Sequence, residues 1–206
     1  MWRHYCSMGL LALILCLVSV PAMAEPGSSD ALLRLEKTVH QVIAMLQNPE
    51  YSRPEQRETR RKLLQEIIYP EFDFQRMAQG AVGHPWKKFS PDQQERFAVA
   101  FRTMLENTYF NMIERYSGEE VNFTNDVALS DQVRRIDSVV VSKGQKYDMS
   151  YRLYPKGDHW LVFDIIIEGV SVISNYRSQF KQLLYSGNPD IEGVIVKMQD
   201  KNRDNQ

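Results

Sequence analysis

The chain has 206 residues, of which 43% are hydrophobic and 25% are charged, a composition typical of one globular domain. Its 25 basic and 26 acidic residues give a formal net charge of −1, which argues against general nucleic-acid binding and strong attraction to anionic membranes. Both cysteines, Cys6 and Cys16, lie near the N-terminus. A disulfide, a thiol nucleophile and a cysteine metal site are therefore excluded from the rest of the chain.

The N-terminus has the pattern of a cleaved signal peptide. Arg3 precedes an apolar run of about 12 residues, Gly9 to Val20, and Ala22-Met23-Ala24 matches a small-residue cleavage site. A membrane anchor is the alternative, but this run is shorter than the roughly 20 residues that a spanning helix needs. The sequence therefore predicts a signal peptide over 1–24 and a single exported domain over 25–206.

Four helices are predicted before the first strand, from apolar residues at helical spacing and from capping residues. They cover 31–47, about 52–68, 72–81 and about 91–117. Asp30 is expected to cap the first helix, and the capping boxes Ser52–Glu55 and Ser90–Gln93 are expected to open the second and the fourth.

The longest helix carries an apolar stripe that is rich in aromatic residues and methionine. The stripe is either plain core or a deformable wall for a flexible apolar ligand, since Met side chains are flexible and polarisable. It contains Phe97, Phe101, Met104, Leu105, Tyr109, Met112, Ile113 and Tyr116.

The second half of the chain begins with strands. Segments 120–129 and 132–142 read as strands, and the third, which contains Met149 and Tyr151, alternates apolar and polar residues. The very apolar strand 159–167 then reaches Gly169 and turns into an amphipathic helix over about 171–185, and a short helix over about 189–201 follows. We expect an α+β fold with helices packed on one face of a curved antiparallel sheet of about four strands, enclosing an apolar cavity.

Signals for enzymatic chemistry are weak. His40, His84 and His159 have no metal-ligand partner at helical spacing, and there is no phosphate-binding glycine loop. Asp164 in the apolar strand is either a general base with a raised pKa or a structural carboxylate paired with an arginine such as Arg135 or Arg152. The structural interpretation is favoured.

Three short segments stand around the turn between this strand and the following helix: WLVFD at 160–164, EGVS at 168–171 and NYRSQF at 175–180. They resemble the signature of the MlaC family, also called the toluene-tolerance family, and the resemblance extends over about 31–200. It implies a periplasmic phospholipid carrier that shuttles lipid between an outer-membrane lipoprotein complex and an inner-membrane ABC transporter with MCE-domain subunits. Such transport maintains the lipid asymmetry of the outer membrane.

The resemblance carries no catalytic residue, and we expect no metal, no cofactor, no nucleic-acid partner and a monomer. Gly169 is expected to permit the turn from strand to helix. Arg177 is a candidate contact for the lipid headgroup or a solvated helix charge, and the exposed Trp86, Lys87 and Lys88 form a candidate docking surface for partners. The residues expected to line the lipid pocket are Phe97, Phe101, Met104, Leu105, Tyr109, Met149, Tyr151, Phe163, Ile165, Val170, Ile173, Tyr176 and Phe180.

Two other classes of function remain open. One is a small α+β enzyme that uses Asp164 as a base on an apolar substrate, in which Asp164→Asn would abolish turnover but preserve the fold. The other is an interaction or chaperone module whose apolar groove takes peptide instead of lipid.

Overall fold

Six α-helices and five β-strands follow one another in the computed structural model, which describes residues 29–185 and 190–204. The predicted signal peptide and Gly187, the residue expected to close the helix predicted over about 171–185, lie outside these residues. The elements are α1 (Asp30–Gln47), α2 (Arg57–Ile68), α3 (Phe74–Val82), α4 (Pro91–Ile113), β1 (Glu120–Ser130), β2 (Val133–Ser142), β3 (Gln145–Lys156), β4 (His159–Ile167), β5 (Val170–Ser171), α5 (Val172–Leu184) and α6 (Ile191–Asp204). Within the described ranges, no helix is long and apolar enough to cross a membrane.

Two of the predicted helix starts are wrong. Ser29, not Asp30, caps α1, because its Oγ accepts a 3.2 Å hydrogen bond from the Leu32 amide. The expected capping box at Ser52 does not form: the Ser52 hydroxyl donates to the Pro49 carbonyl, and the proline-led 3₁₀ turn Pro54–Gln56 precedes α2. This fits the fixed φ of Pro54, which favours a tight turn there.

The capping box that opens α4 is confirmed. The Gln93 amide donates to Ser90 Oγ over 3.2 Å, and the Ser90 amide donates to Gln93 Oε1 over 2.9 Å. At its other end α4 finishes at Ile113 instead of near Ser117. The amides of Arg115 and Tyr116 bond the carbonyls three residues earlier, so the chain tightens into turns before it leaves the helix.

The strands form one antiparallel sheet in chain order, β1-β2-β3-β4-β5. Two of its hairpins have two-residue turns with positive φ at both positions: 49° and 80° at Lys143–Gly144, and 49° and 77° at Glu168–Gly169. This is the pattern of a type I′ turn, whose twist matches that of the strands. Gly169 thus permits the turn as expected, and the short fifth strand β5, which was not predicted, leads directly into α5.

A β-bulge at Phe163 changes the face on which Asp164 lies. Along β3 and β4, Arg152 pairs with Asp164 and the next pair is Leu153 with Val162, so Phe163 has no partner. Strict alternation along β4 would place Asp164 on the same face as Trp160 and Val162. The extra residue reverses that alternation, and Asp164 lies on the opposite face from both.

The core consists of three apolar clusters. The helical cluster joins α3, α4, α5 and α6, the sheet cluster joins α1 to β2, β3 and β4, and a third cluster joins α1, α2 and α4. Phe72, just before α3, packs against all three, and Ile165 of β4 packs against the first two. The helices and the sheet therefore meet around these two side chains.

Candidate functional site

The lining residues that were predicted on α4 and α5 pack against one another. Ring centroids lie 5.4 Å apart for Phe97 and Phe180, and 5.2 Å apart for Phe101 and Tyr176, with edge-to-face geometry. Met104, Leu105 and Ile173 are also buried in the helical cluster. This part of the stripe on α4 is core in the structure.

The residues predicted on the strands are divided between the two faces of the sheet. Met149, Tyr151 and Ile165 lie on the face that packs against α1. Phe163, at the bulge, instead packs against the helical cluster and Tyr154. Val170 is 59% exposed on the hairpin that precedes α5.

Six apolar side chains at the borders of the helical and sheet clusters remain only half-buried, and we call this set the seam. Tyr109 and Ile167 pack against the helical cluster, while Phe123 and Met149 pack against the sheet cluster. Large apolar side chains in a well-packed domain are usually covered more fully. The seam consists of Phe72, Tyr109, Phe123, Met149, Ile165 and Ile167.

A separate cleft of about 630 Å³ opens between α3, α5 and the β3–β4 hairpin. Its charged lining side chains are Asp73 at the N-cap of α3, Arg76 of α3, Arg152 of β3, Asp164 of β4 and Arg177 of α5. We call it the arginine cleft. Arg177, the predicted headgroup residue, lies here with its Nε donating a 2.7 Å hydrogen bond to the Gly80 carbonyl.

Asp164 has the structural role that the sequence favoured. Its buried carboxylate accepts hydrogen bonds from the Ser171 hydroxyl at 2.7 Å and the Ile173 amide at 3.2 Å, and Arg152 lies 3.3 Å away. Ser171 in turn caps α5 by accepting from the Ser174 amide. The aspartate thus fastens the start of α5 to β4.

Asp73 is a second buried carboxylate at the edge of the cleft. It accepts hydrogen bonds from the Arg76 amide, the Tyr154 hydroxyl and Lys156 Nζ, the last at 2.9 Å. Burial by itself would raise the pKa of Asp73, but these hydrogen bonds together outweigh it and hold that pKa below its ordinary value.

Arg76 lies over two aromatic rings in the cleft. Its Cζ is 3.7 Å from the ring centroid of Tyr154 and 4.4 Å from that of Phe163. Sequence reasoning missed Arg76, Asp73 and Tyr154 because only the tertiary packing of α3 on the hairpin brings them together. The only local signal is the position of Asp73, three residues before Arg76, where it caps α3.

The expectation of an exposed aromatic side chain in the segment before α4 is wrong. Trp86 is 6% exposed and packs against Phe89 and Phe97, with ring centroids 5.4 and 6.0 Å away. A short 3₁₀ turn, His84–Lys88, directs the indole inwards while Lys87 and Lys88 remain exposed. The candidate docking surface is therefore reduced to the two lysines.

The fold and the cleft define an α+β protein in which an antiparallel meander and the helices meet along a half-buried apolar seam. The family model described as MlaC protein matches residues 36–200. The chain therefore belongs to the MlaC family.

Individual relatives are more distant. The toluene tolerance protein ttg2D of Pseudomonas putida is 27% identical over 112 residues, which are 53% of this chain and 51% of that protein. The intermembrane phospholipid transport system binding protein MlaC of Haemophilus influenzae is 22% identical over 144 residues, 68% of this chain and 66% of that protein. The chain thus matches about half to two thirds of the length of these relatives.

A solved structure shares the fold. The phospholipid-binding protein of Ralstonia solanacearum, determined in complex with a phospholipid, superposes with a TM-score of 0.77 at 24% sequence identity. The superposition covers 86% of this chain and 99% of that one. The α+β architecture expected from the sequence is thereby confirmed, with five strands instead of about four.

Proposed function

We propose that the protein is a periplasmic phospholipid carrier that moves lipid between an outer-membrane lipoprotein complex and an inner-membrane ABC transporter with MCE-domain subunits. Membership of the MlaC family over residues 36–200 carries this proposal. The phospholipid bound by the Ralstonia solanacearum protein of the same fold supports it.

The seam is the place that this proposal gives to the acyl chains. A diacyl phospholipid has on the order of 30 methylenes, each worth about 0.8 kcal/mol when removed from water, so leaving a membrane costs roughly 25 kcal/mol. A carrier offsets this cost only by enclosing the chains. The half-buried Phe123, Met149, Ile165 and Ile167 are apolar surface that acyl chains would cover.

Native mass spectrometry of the purified protein, followed by solvent extraction, tests the carrier proposal. A bound mass of about 700 Da that extracts as phospholipid is the expected result for a carrier of one diacyl lipid. A chain that is empty, and stays empty after incubation with lipid vesicles, would overturn it. The enzyme and peptide-binding alternatives would then be tested.

We further propose that Lys87 and Lys88 contact a membrane partner during transfer, since both are exposed cations beside the buried Trp86. Charge reversal at a rim changes association rates more than the stability of the folded protein. Lys87→Glu with Lys88→Glu should leave the lipid content intact and slow transfer to the partner. The matched control is Lys37→Glu with Lys62→Glu, at two exposed positions on α1 and α2; equal transfer by both variants would contradict the docking role.

A further inference from the structure

The charges in the arginine cleft do not balance. Three arginines, Arg76, Arg152 and Arg177, face two carboxylates, Asp73 and Asp164. Each carboxylate already accepts hydrogen bonds from its neighbours: Asp73 from Tyr154 and Lys156, and Asp164 from Ser171 and the Ile173 amide. Lys156 adds a further positive charge at the edge, so the cleft carries a cationic surplus.

Donor groups in the cleft remain available. Among the described residues, no carboxylate pairs with Arg76 or Arg177. Within residues 29–185 and 190–204, the Arg177 side chain is held by its Nε on the Gly80 carbonyl, and its Nη groups are available to a ligand. Arg152 keeps a buried Nε that has no hydrogen-bond partner within the described part of the chain. Unsatisfied buried donors in a folded protein call for a ligand, a water or another explanation.

The donors are also held in place. The Arg76 Cζ lies over the rings of Tyr154 and Phe163, and the Arg76 side chain also hydrogen-bonds the Tyr154 hydroxyl, so these contacts hold the guanidinium at the cleft wall. A guanidinium has five N–H donors, so donors beyond this hydrogen bond remain for a ligand. Arg177 is anchored on the Gly80 carbonyl. Planar guanidinium groups fixed in this way match the oxygens of a phosphate, often through two parallel hydrogen bonds.

We propose that the arginine cleft binds a phosphate ester, the group shared by a phospholipid headgroup and a soluble glycerophosphate. The volume of about 630 Å³ exceeds what a lone phosphate fills and lies in the range of small-molecule sites. Phe163 and Ile173, which belong to the helical cluster, give one wall an apolar surface next to the arginines. The lipid form of this inference rests on the proposed carrier function, whereas the phosphate site itself does not.

Titration calorimetry at low salt with three soluble probes tests the inference. Dihexanoylphosphatidic acid carries both short chains and a phosphate, dihexanoylglycerol carries the same chains without charge, and sn-glycerol 3-phosphate carries the phosphate alone. The variant is Arg76→Gln with Arg177→Gln, and the matched control is Arg53→Gln, at an exposed arginine in the loop before α2. Each arginine removed should lower the affinity for the two phosphate probes about tenfold or more and leave the affinity for dihexanoylglycerol unchanged.

The outcomes separate the two possible sources of the phosphate. Loss of binding for phosphatidic acid alone assigns the cleft to a lipid headgroup. If the wild type binds glycerol 3-phosphate but neither dihexanoyl lipid, and the variant loses this binding, the phosphate site is supported and the proposed carrier function is rejected. The inference is overturned if neither phosphate probe binds the wild type, or if the variant and the wild type bind the phosphate probes with equal affinity. Either result overturns it even if dihexanoylglycerol binds.

A measurement on the wild type guards against misfolding of the double variant. Arg Nε–H resonances can be followed by ¹⁵N nuclear magnetic resonance during titration with glycerol 3-phosphate or phosphatidic acid. Resonances of Arg76, Arg152 and Arg177 should shift while that of Arg53 stays in place. Uniform or absent shifts would contradict a site in the cleft.

Discussion

Single side chains fasten the helices of this protein to its sheet. Asp164 ties the first turn of α5 to β4 through the Ser171 hydroxyl and the Ile173 amide. Asp73 ties α3 to β3 through Tyr154 and Lys156. Both carboxylates are buried, so each one needs its donors, and each donor loses a partner when the carboxylate is removed.

Replacing Asp164 should therefore be costly. Asp164→Ala leaves the Ile173 amide and the Ser171 hydroxyl without their acceptor, and should lower the free energy of unfolding by about 3 kcal/mol. Urea denaturation measures the loss. Asp131→Ala, in an exposed turn, is the matched control and should stay within about 0.5 kcal/mol of the wild type. A similar small change at Asp164 would mean that its hydrogen bonds add nothing to stability.

Asp73 should make stability depend on pH in the acid range. Its pKa in the folded protein is below the ordinary value of 3.8, so on acidification the unfolded chain takes up the proton first. The stabilisation is complete above that ordinary value and is lost as the pH falls through the lower pKa of the folded state. Urea midpoints measured from pH 7 down to pH 3 should fall more steeply in wild type than in Asp73→Asn. Asp131→Asn should follow the wild type, and parallel curves for all three proteins would refute this role.

At the scale of elements, the junction between β4 and α5 depends on the type I′ turn at Glu168–Gly169. Gly169 has φ +77°, and a Cβ there would meet no atom within 4 Å. Gly169→Ala should therefore cost about 1–2 kcal/mol through backbone strain alone. Gly144→Ala is the matched control, since Gly144 occupies the same position in the β2–β3 turn and has the same open surroundings.

The two glycine variants should differ in their effect on α5. Of the two turns, only the one at Gly169 leads into Ser171, which follows two residues later and donates its hydroxyl to Asp164. Hydrogen exchange of the Ile173 and Ser174 amides should therefore accelerate in Gly169→Ala and remain unchanged in Gly144→Ala. Equal protection in both variants would show that the cap forms independently of the turn.

Local sequence patterns predicted the elements well wherever the signal was itself local. Apolar spacing located each long helix, and the Ser90–Gln93 capping box opened α4 as expected. Alternation failed at β4 because the bulge at Phe163 depends on how β3 and β4 pair, and this reverses the face of Asp164. Trp86 was misplaced for a similar reason, since its burial depends on Phe89 and on Phe97 of α4.

Only part of the candidate site could be predicted from the sequence. The sequence made Arg177 a candidate contact for a lipid headgroup, and its side chain lines the arginine cleft. Its neighbours Arg76 and Arg152 come from α3 and β3, far away in the chain, and no periodicity links them. Likewise, apolar spacing could not distinguish Phe101, which is fully buried, from the half-buried Met149 of the seam. Both fit their patterns equally well.

At the scale of the whole molecule, the seam and the arginine cleft are different environments. The seam is apolar and lies where the helical and sheet clusters meet. The arginine cleft is cationic and lies between α3, α5 and the β3–β4 hairpin. Phe163 and Ile165, close together in β4, contribute to the cleft and the seam respectively. The apolar chains and the charged phosphate of a phospholipid differ in the same way.

Filling the seam should exclude acyl chains without unfolding the protein. Met149 is half-buried on the face of β3 that packs against α1, so Met149→Trp adds bulk where the proposed chains would lie and covers apolar surface at the same time. Phospholipid extracted per mole of protein should fall several-fold, while the urea midpoint stays near the wild-type value. Lys146→Trp, at an exposed position on the same strand, should retain full lipid content. Lipid loading that is unchanged in Met149→Trp would place the acyl chains elsewhere, because the indole ring would occupy the position proposed for them.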